Sequence, residues 1–173
     1  PPRRAARARP SAGAHDAGVQ RFERLSTEAK RALTVAYDEA ERARAGHLGT
    51  EHLLLGVLGV EGCLGARALG ELGLDAAAIR AGIEAAPARP SARYQTIGGA
   101  VPTTRLKRVI EMAFEEALRT QLTVVTTGTM LVGLVLEVDG LASHLLGGAG
   151  VTVEHVRGAL ARLAAAGVTE GGD

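Results

Sequence analysis

Residues 27–42 read Thr27-Glu28-Ala29-Lys30-Arg31-Ala32-Leu33-Thr34-Val35-Ala36-Tyr37-Asp38-Glu39-Ala40-Glu41-Arg42. Residues 104–119 read Thr104-Arg105-Leu106-Lys107-Arg108-Val109-Ile110-Glu111-Met112-Ala113-Phe114-Glu115-Glu116-Ala117-Leu118-Arg119. A shift of 77 residues lays one on the other, and the register runs on without a gap from Thr27–Glu84 to Thr104–Ala161. Lys30/Lys107, Arg31/Arg108, Ala36/Ala113, Glu39/Glu116, Arg42/Arg119, Thr50/Thr127, Gly56/Gly133, Leu69/Leu146, Gly73/Gly150 and Arg80/Arg157 are identical. Swaps such as Leu33/Ile110 and Tyr37/Phe114 are conservative. A gapless self-match of this length marks a tandem duplication, the feature that decides a fold before any local propensity does.

Each copy reads as four helices. Ser26, or Thr103 in the second copy, is the expected N-cap of the first. Ala29, Leu33, Ala36, Tyr37 and Ala40 then recur at helical spacing, mirrored by Leu106, Ile110, Ala113, Phe114 and Ala117. A second helix starts at Thr50 and runs through Leu53–Leu58. A third covers about Leu64–Leu72 and ends at Gly73, a suitable residue just past a helix end. Asp75, with Thr152 as its counterpart, caps a fourth that reaches Glu84. Gly56 and Gly133 interrupt apolar helical runs, where glycine costs about 1 kcal/mol against alanine. The same cost at the same place in both copies points to a close helix contact.

A copy of roughly 60 residues is marginal alone. The expectation is therefore a single all-α domain of eight helices whose two copies share a core around a pseudo-two-fold axis. It places the first copy at about 25–85, a linker at 86–102 marked by Pro87, Pro90, Gly98, Gly99 and Pro102, and the second copy at about 103–163. The double repeat as a whole takes residues 21–165. Residues 1–20 carry Arg3, Arg4, Arg7 and Arg9 against Asp16 without apolar periodicity. They read as a disordered basic Pro/Ala/Arg tail, more a linker than a transit peptide. Residues 166–173 read as a flexible tail.

Composition narrows the functions. The chain has 173 residues, 46% of them hydrophobic but only 2% aromatic, which suits closely packed Ala/Leu/Val helices. Its formal net charge is +1, so a strongly basic nucleic-acid binder is not the expectation. No apolar run approaches the ~18 residues that a membrane span needs. The single Cys63 excludes an internal disulfide framework and reads as a small buried or half-buried thiol. The expected compartment is the cytosol. Neither Lys30 nor Lys107 follows a glycine, so there is no phosphate-binding Gly-x-x-x-x-Gly-Lys-Ser/Thr loop. His47 and His52, with Glu51 between them, do not have His-Glu-x-x-His spacing; they read as capping or packing groups, with no metal, cofactor or catalysis expected. His144 and His155 are expected at the surface.

Phe22-Glu23-Arg24-Leu25-Ser26, the Glu39-Ala40 helix end and His47-Leu48-Gly49-Thr50-Glu51-His52-Leu53-Leu54-Leu55-Gly56 resemble the Clp N-terminal repeat domain. That is the amino-terminal domain of ClpA/ClpC/ClpB-type AAA+ unfoldases, and the ClpC branch is the best match. The resemblance spans about Arg21–Leu163. It implies an eight-helix, non-catalytic module that recruits protein substrates and adaptors to an unfoldase feeding a ClpP-type protease. In the ClpC branch it implies binding of phosphoarginine-marked proteins, with Glu51 taking the guanidinium, and in some actinobacteria of macrocyclic peptide antibiotics. The two lysines among 20 basic residues fit a GC-rich genome. The alternative is a freestanding homologue that sequesters such ligands without delivering them.

A phosphoarginine offers a planar donor fork beside a dianionic phosphate. A carboxylate pairs with the fork, so other donors must hold the phosphate. Ser26, Thr27 and Arg24, at the opening of the first helix, are the candidates. The resemblance also implies a peptide groove between Phe22 and Lys107. In the second copy Gly128 and Thr129 stand where Glu51 and His52 stand in the first, so an equivalent second site is not expected.

Overall fold

The computed structural model describes residues 20–87 and 99–171. The expected tail up to residue 19, Pro90 and Gly98 of the expected linker, and residues 172–173 lie outside the described residues.

The described residues fold as two matching runs of four helices. In the first, α1 is Thr27–Arg42, α2 Thr50–Gly59, α3 Leu64–Glu71 and α4 Ala76–Ala85. In the second, α5 is Thr104–Arg119, α6 Thr127–Leu136, α7 Leu141–Gly148 and α8 Val153–Ala165. A short helical turn at 20–23 precedes α1. The helix starts follow the capping chemistry. Ser26 and Thr103 accept from Ala29 N and Leu106 N, Asp75 accepts from Ala77 N and Ala78 N, and Thr152 accepts from His155 N. Gly73 and Gly150 end α3 and α7 with φ of +77° and +80°, a conformation that only glycine adopts without cost. The bend between the second and third helix is 92° in one copy and 88° in the other.

The glycines explain themselves. A Cβ at Gly56 would strike the backbone carbonyl of Ala32 on α1, and one at Gly133 would sit 2.5 Å from the carbonyl of Val109 on α5. These helix pairs cross with backbone against side-chain-free backbone. Leu53, Leu54 and Leu69 of the first copy and Met130, Leu131 and Leu146 of the second are fully buried. Each contributes about 1.5–3 kcal/mol by leaving water. Residues from both copies form one continuous core, from Leu25 and Ala29 to Ala159 and Leu163.

Two short pairings tie the copies together, and neither was expected from the sequence. β1 (His47–Leu48) runs parallel to β2 (Val101–Pro102), with Thr103 N donating to Leu48 O at 3.0 Å. A parallel bridge joins Leu25 to Val125, with Ser26 N donating to Val125 O at 2.8 Å. The 77-residue shift maps one onto the other. The opening of each copy's first helix is therefore stitched to the lead-in of the other copy's second helix. Part of the expected linker is thus a paired strand. The expected flexible tail is anchored as far as Gly171: Val168 N donates to Leu163 O, and Gly171 O accepts from Thr27 N.

Candidate functional site

The crossed stitching builds two helix-end clusters, and the candidate residues divide between them. In the first cluster, the N-terminus of α2 presents Thr50, Glu51 and His52. His52 Nδ1 accepts from Gly49 N at 3.0 Å, so the imidazole serves as half of a capping box. Burial holds its pKa below the ordinary histidine value, which keeps that nitrogen free to accept. His47 lies 2.8 Å from the carbonyl of Ala45 through Nδ1 and 3.4 Å from Glu51 Oε1 through Nε2. The carbonyl requires a proton on Nδ1. The Glu51 side chain is only 12% exposed. Residues from α2, the end of α4, Arg44 and Leu141 line an open cavity of about 240 Å³ whose walls include Glu51, His47 and His52. Arg44, at φ +50°, lines the same cavity as the carboxylate. The ligand atoms of His47, Glu51 and His52 lie within 4.8 Å of one another, though the cap already uses His52 Nδ1.

In the second cluster, Ser26 and Thr27 meet the N-terminus of α6. This corrects the expected grouping of Ser26, Thr27 and Arg24 with Glu51. The copies exchange partners, so Ser26 and Thr27 lie beside Val125 and Thr127, while Glu51 lies beside the strand pair that leads to Thr103. Ser26 Oγ donates to Glu170 at 2.9 Å. Arg24 is exposed and lies 5.5 Å from the Phe114 ring, with Arg21 at 5.8 Å. Phe22 is 52% exposed and carries Lys30 at 5.7 Å over its ring. The cation at Phe22 is thus Lys30, the repeat mate of Lys107, while Lys107 is exposed on α5.

The second copy handles its departure from the first by packing. Thr129 Oγ1 accepts from Thr126 N at 3.0 Å, which reproduces the His52 cap with a hydroxyl. A Cβ on Gly128 would come within 2.6 Å of Leu160 on α8, so the position of Glu51 is filled here by a neighbouring helix.

Two ion clusters escaped the sequence reading, although their members were among the identical pairs. Arg80 bridges to Glu39 at 3.0 and 3.1 Å, and Arg42 reaches it at 2.9 Å. Arg157 and Arg119 hold Glu116 in the same way, with Arg157 at 2.8 and 3.0 Å. Hydrogen bonding from Arg119 and Arg157 holds the Glu116 carboxyl down at about 2, and Arg80 lowers Glu39. Each cluster locks the end of the first helix to the last helix of its own copy. Cys63 is 1% exposed and caps α3, its thiol donating to Val57 O and accepting from Ala66 N. His144 and His155 are exposed.

Two crossed four-helix repeats with a polar cluster at each junction define a class, and the chain belongs to it: the Clp repeat (R) N-terminal domain matches residues 24–149 and again 101–173. Among curated proteins, the chain is 35% identical over 136 residues to the negative regulator of genetic competence ClpC/MecB of Bacillus subtilis. That match covers 79% of this chain and 16% of that protein. It is 32% identical to the chaperone protein ClpB of Oceanobacillus iheyensis, again over 79% of this chain and 16% of that protein. The chain therefore spans about a sixth of the length of these relatives. Among solved structures, the N-terminal domain of the chaperone ClpD from Arabidopsis thaliana superposes with a TM-score of 0.64 at 23% identity. It covers 82% of this chain and 94% of that one. A chain from a study of a malarial protein secretion system gives 0.67 at 18% identity, over 80% and 93%. These two likenesses establish the shared all-α fold.

Proposed function

We propose that the chain is a non-catalytic recognition module of a Clp unfoldase system, binding protein substrates or adaptors, and that the Glu51 cavity receives a phosphoarginine side chain. The observation that carries this reading is the mixed charge of one cavity's lining: the Glu51 carboxylate beside His47, with Arg44 among the same lining residues. The ligand is a dipole of the reverse sense. Its guanidinium side pairs with Glu51, and its phosphate is met by the Arg44 guanidinium. Family membership supports the same role, since the chain matches a segment of ClpC/MecB and of the chaperone protein ClpB. Delivery to a ClpP-type protease belongs to a motor that would act with this module.

The test is calorimetric titration of the chain with free phosphoarginine, wild type beside Glu51→Ala and Arg44→Ala. Saturable binding lost in both variants supports the reading. Heat that survives Glu51→Ala places the ligand elsewhere, and no heat in the wild type removes phosphoarginine as the ligand. A second reading rests on the exposed Phe22 ring: a sequestering role toward hydrophobic macrocyclic peptides. It predicts that Phe22→Ala weakens macrocycle binding and leaves phosphoarginine binding intact.

A further inference from the structure

The openings of three helices converge on one carboxylate of the chain's own tail. Leu64 N, the first amide of α3, donates to Glu170 Oε1 at 2.7 Å, and Thr127 N, the first amide of α6, donates to Oε2 at 2.8 Å. Ser26 Oγ, the cap of α1, donates to Oε2, and Thr127 Oγ1 makes a short bond to Oε1. Ser26 and Thr127 are each fully buried. Each hydroxyl also accepts an amide, from Ala29 N and Gly65 N respectively, so its single proton is directed at the carboxylate. All four donors are uncharged, and all three helix dipoles present their positive ends. The backbone of the tail adds one more tie, from Thr27 N to Gly171 O at 3.3 Å.

Among the described residues, the other junction has the same frame without such an occupant. There Ala142 N donates to Thr50 Oγ1 at 3.3 Å, the counterpart of Gly65 N to Thr127 Oγ1. The residue 77 positions before Glu170 is Arg93, which brings no carboxylate. The carboxylate is thus an addition specific to the second copy's end and not part of the repeat.

We propose that this junction is an oxyanion receptor held closed by Glu170, and that the segment 168–171 is a displaceable internal ligand. The group it excludes is an oxyanion carried by a protein ligand, a phosphate or a carboxylate. Either presents anionic oxygens that can accept the hydrogen bonds Glu170 now takes. The tether gives Glu170 a high effective concentration, so only a ligand that also contacts neighbouring surface, such as the exposed Phe22 and Arg24, competes with it. The latch sits at a different junction from the Glu51 cavity and is independent of what that cavity binds.

The test follows the Leu64 and Thr127 amide resonances of the whole chain by NMR. Glu170→Gln should move both and leave Ala142, at the other junction, in place; unmoved Leu64 and Thr127 signals would overturn the seating of Glu170. Inorganic phosphate and sodium acetate are then titrated into wild type, Glu170→Ala and Glu170→Gln. The proposal expects saturable shifts of these two amides in the variants at concentrations about tenfold or more below those needed in wild type. The stronger of the two anions names the ligand chemistry. Equal responses in wild type and variants, or none in the variants, would show that the junction is a structural tie and overturn the receptor. Glu170→Gln keeps the size of the side chain, so the comparison stands even if Glu170→Ala perturbs the tail.

Discussion

Replacing Glu116 with glutamine should remove a pH-dependent part of the stability, leaving a deficit that is large at neutral pH and shrinks in acid. Glu116 is 5% exposed and held by Arg119 and Arg157, which lower its carboxyl from 4.5 to about 2. The difference is 4.5 − 2 = 2.5 units; at about 1.36 kcal/mol per unit this amounts to about 3 kcal/mol at neutral pH. The folded pKa is depressed, so this stability is fully present above pH ~4.5 and is lost as pH falls toward 2. About 1.4 kcal/mol of it should remain at pH 3 and a few tenths at pH 2. Urea unfolding followed by far-ultraviolet circular dichroism measures the gap between wild type and Glu116→Gln. At pH 7 the variant should be weaker by about 3 kcal/mol, and between pH 4.5 and pH 3 the two curves should close by more than half. A gap that stays constant across that range would refute the claim that the charged form of Glu116 is what the two arginines stabilise.

Gly56→Ala and Gly133→Ala should each lower stability by about 1–3 kcal/mol, despite alanine's better helix propensity, because the new methyl meets backbone carbonyls on α1 and α5. Thermal melts of the two variants should fall together, and a rise in either would sink the close-contact account. Cys63, buried and raised above the ordinary thiol range by burial, should react with a thiol reagent at pH 7 only as fast as the domain opens. Labelling at the rate of a free thiol would place it at the surface. His52→Ala and Thr129→Ala should each cost about 1 kcal/mol by removing equivalent caps. A much larger loss from His52→Ala, read by the same urea titrations, would give that imidazole a role beyond capping.

The helices were legible because their causes are local. Ser26, Asp75, Gly73 and the apolar spacing of α1 act within a turn or two, and the duplication let each copy check the other. Gly56 and Gly133 were legible for the same reason: a repeated cost implies a repeated contact. What the sequence did not disclose is the exchange of partners between copies. A self-alignment shows that Ser26 and Thr103 are equivalent. It carries no information on whether Ser26 faces its own copy's Thr50 or the other copy's Thr127, because that depends on how the two halves dock. The expected union of Glu51 with Ser26 and Thr27 failed at that point. Glu39/Arg80 and Glu116/Arg157 stood in plain view as identities, but their pairing is a contact across 41 residues. Glu170 is placed by three helix ends from distant parts of the chain, and no periodicity announces it.

The crossed bridges, Leu25 to Val125 and Leu48 to Pro102, make the contact between the copies reciprocal, as in an isologous dimer joined by a linker. Neither half completes its own junction: the first lacks the carbonyl of Val125 for Ser26 N, and the second lacks that of Leu48 for Thr103 N. A polypeptide carrying one copy could satisfy these bonds only against a second molecule of itself. The stability of such a fragment would be set by its concentration, whereas the doubled chain gains it at infinite dilution. The cost moves to kinetics, since closing Leu25 onto Val125 spans most of the domain and must await the second copy.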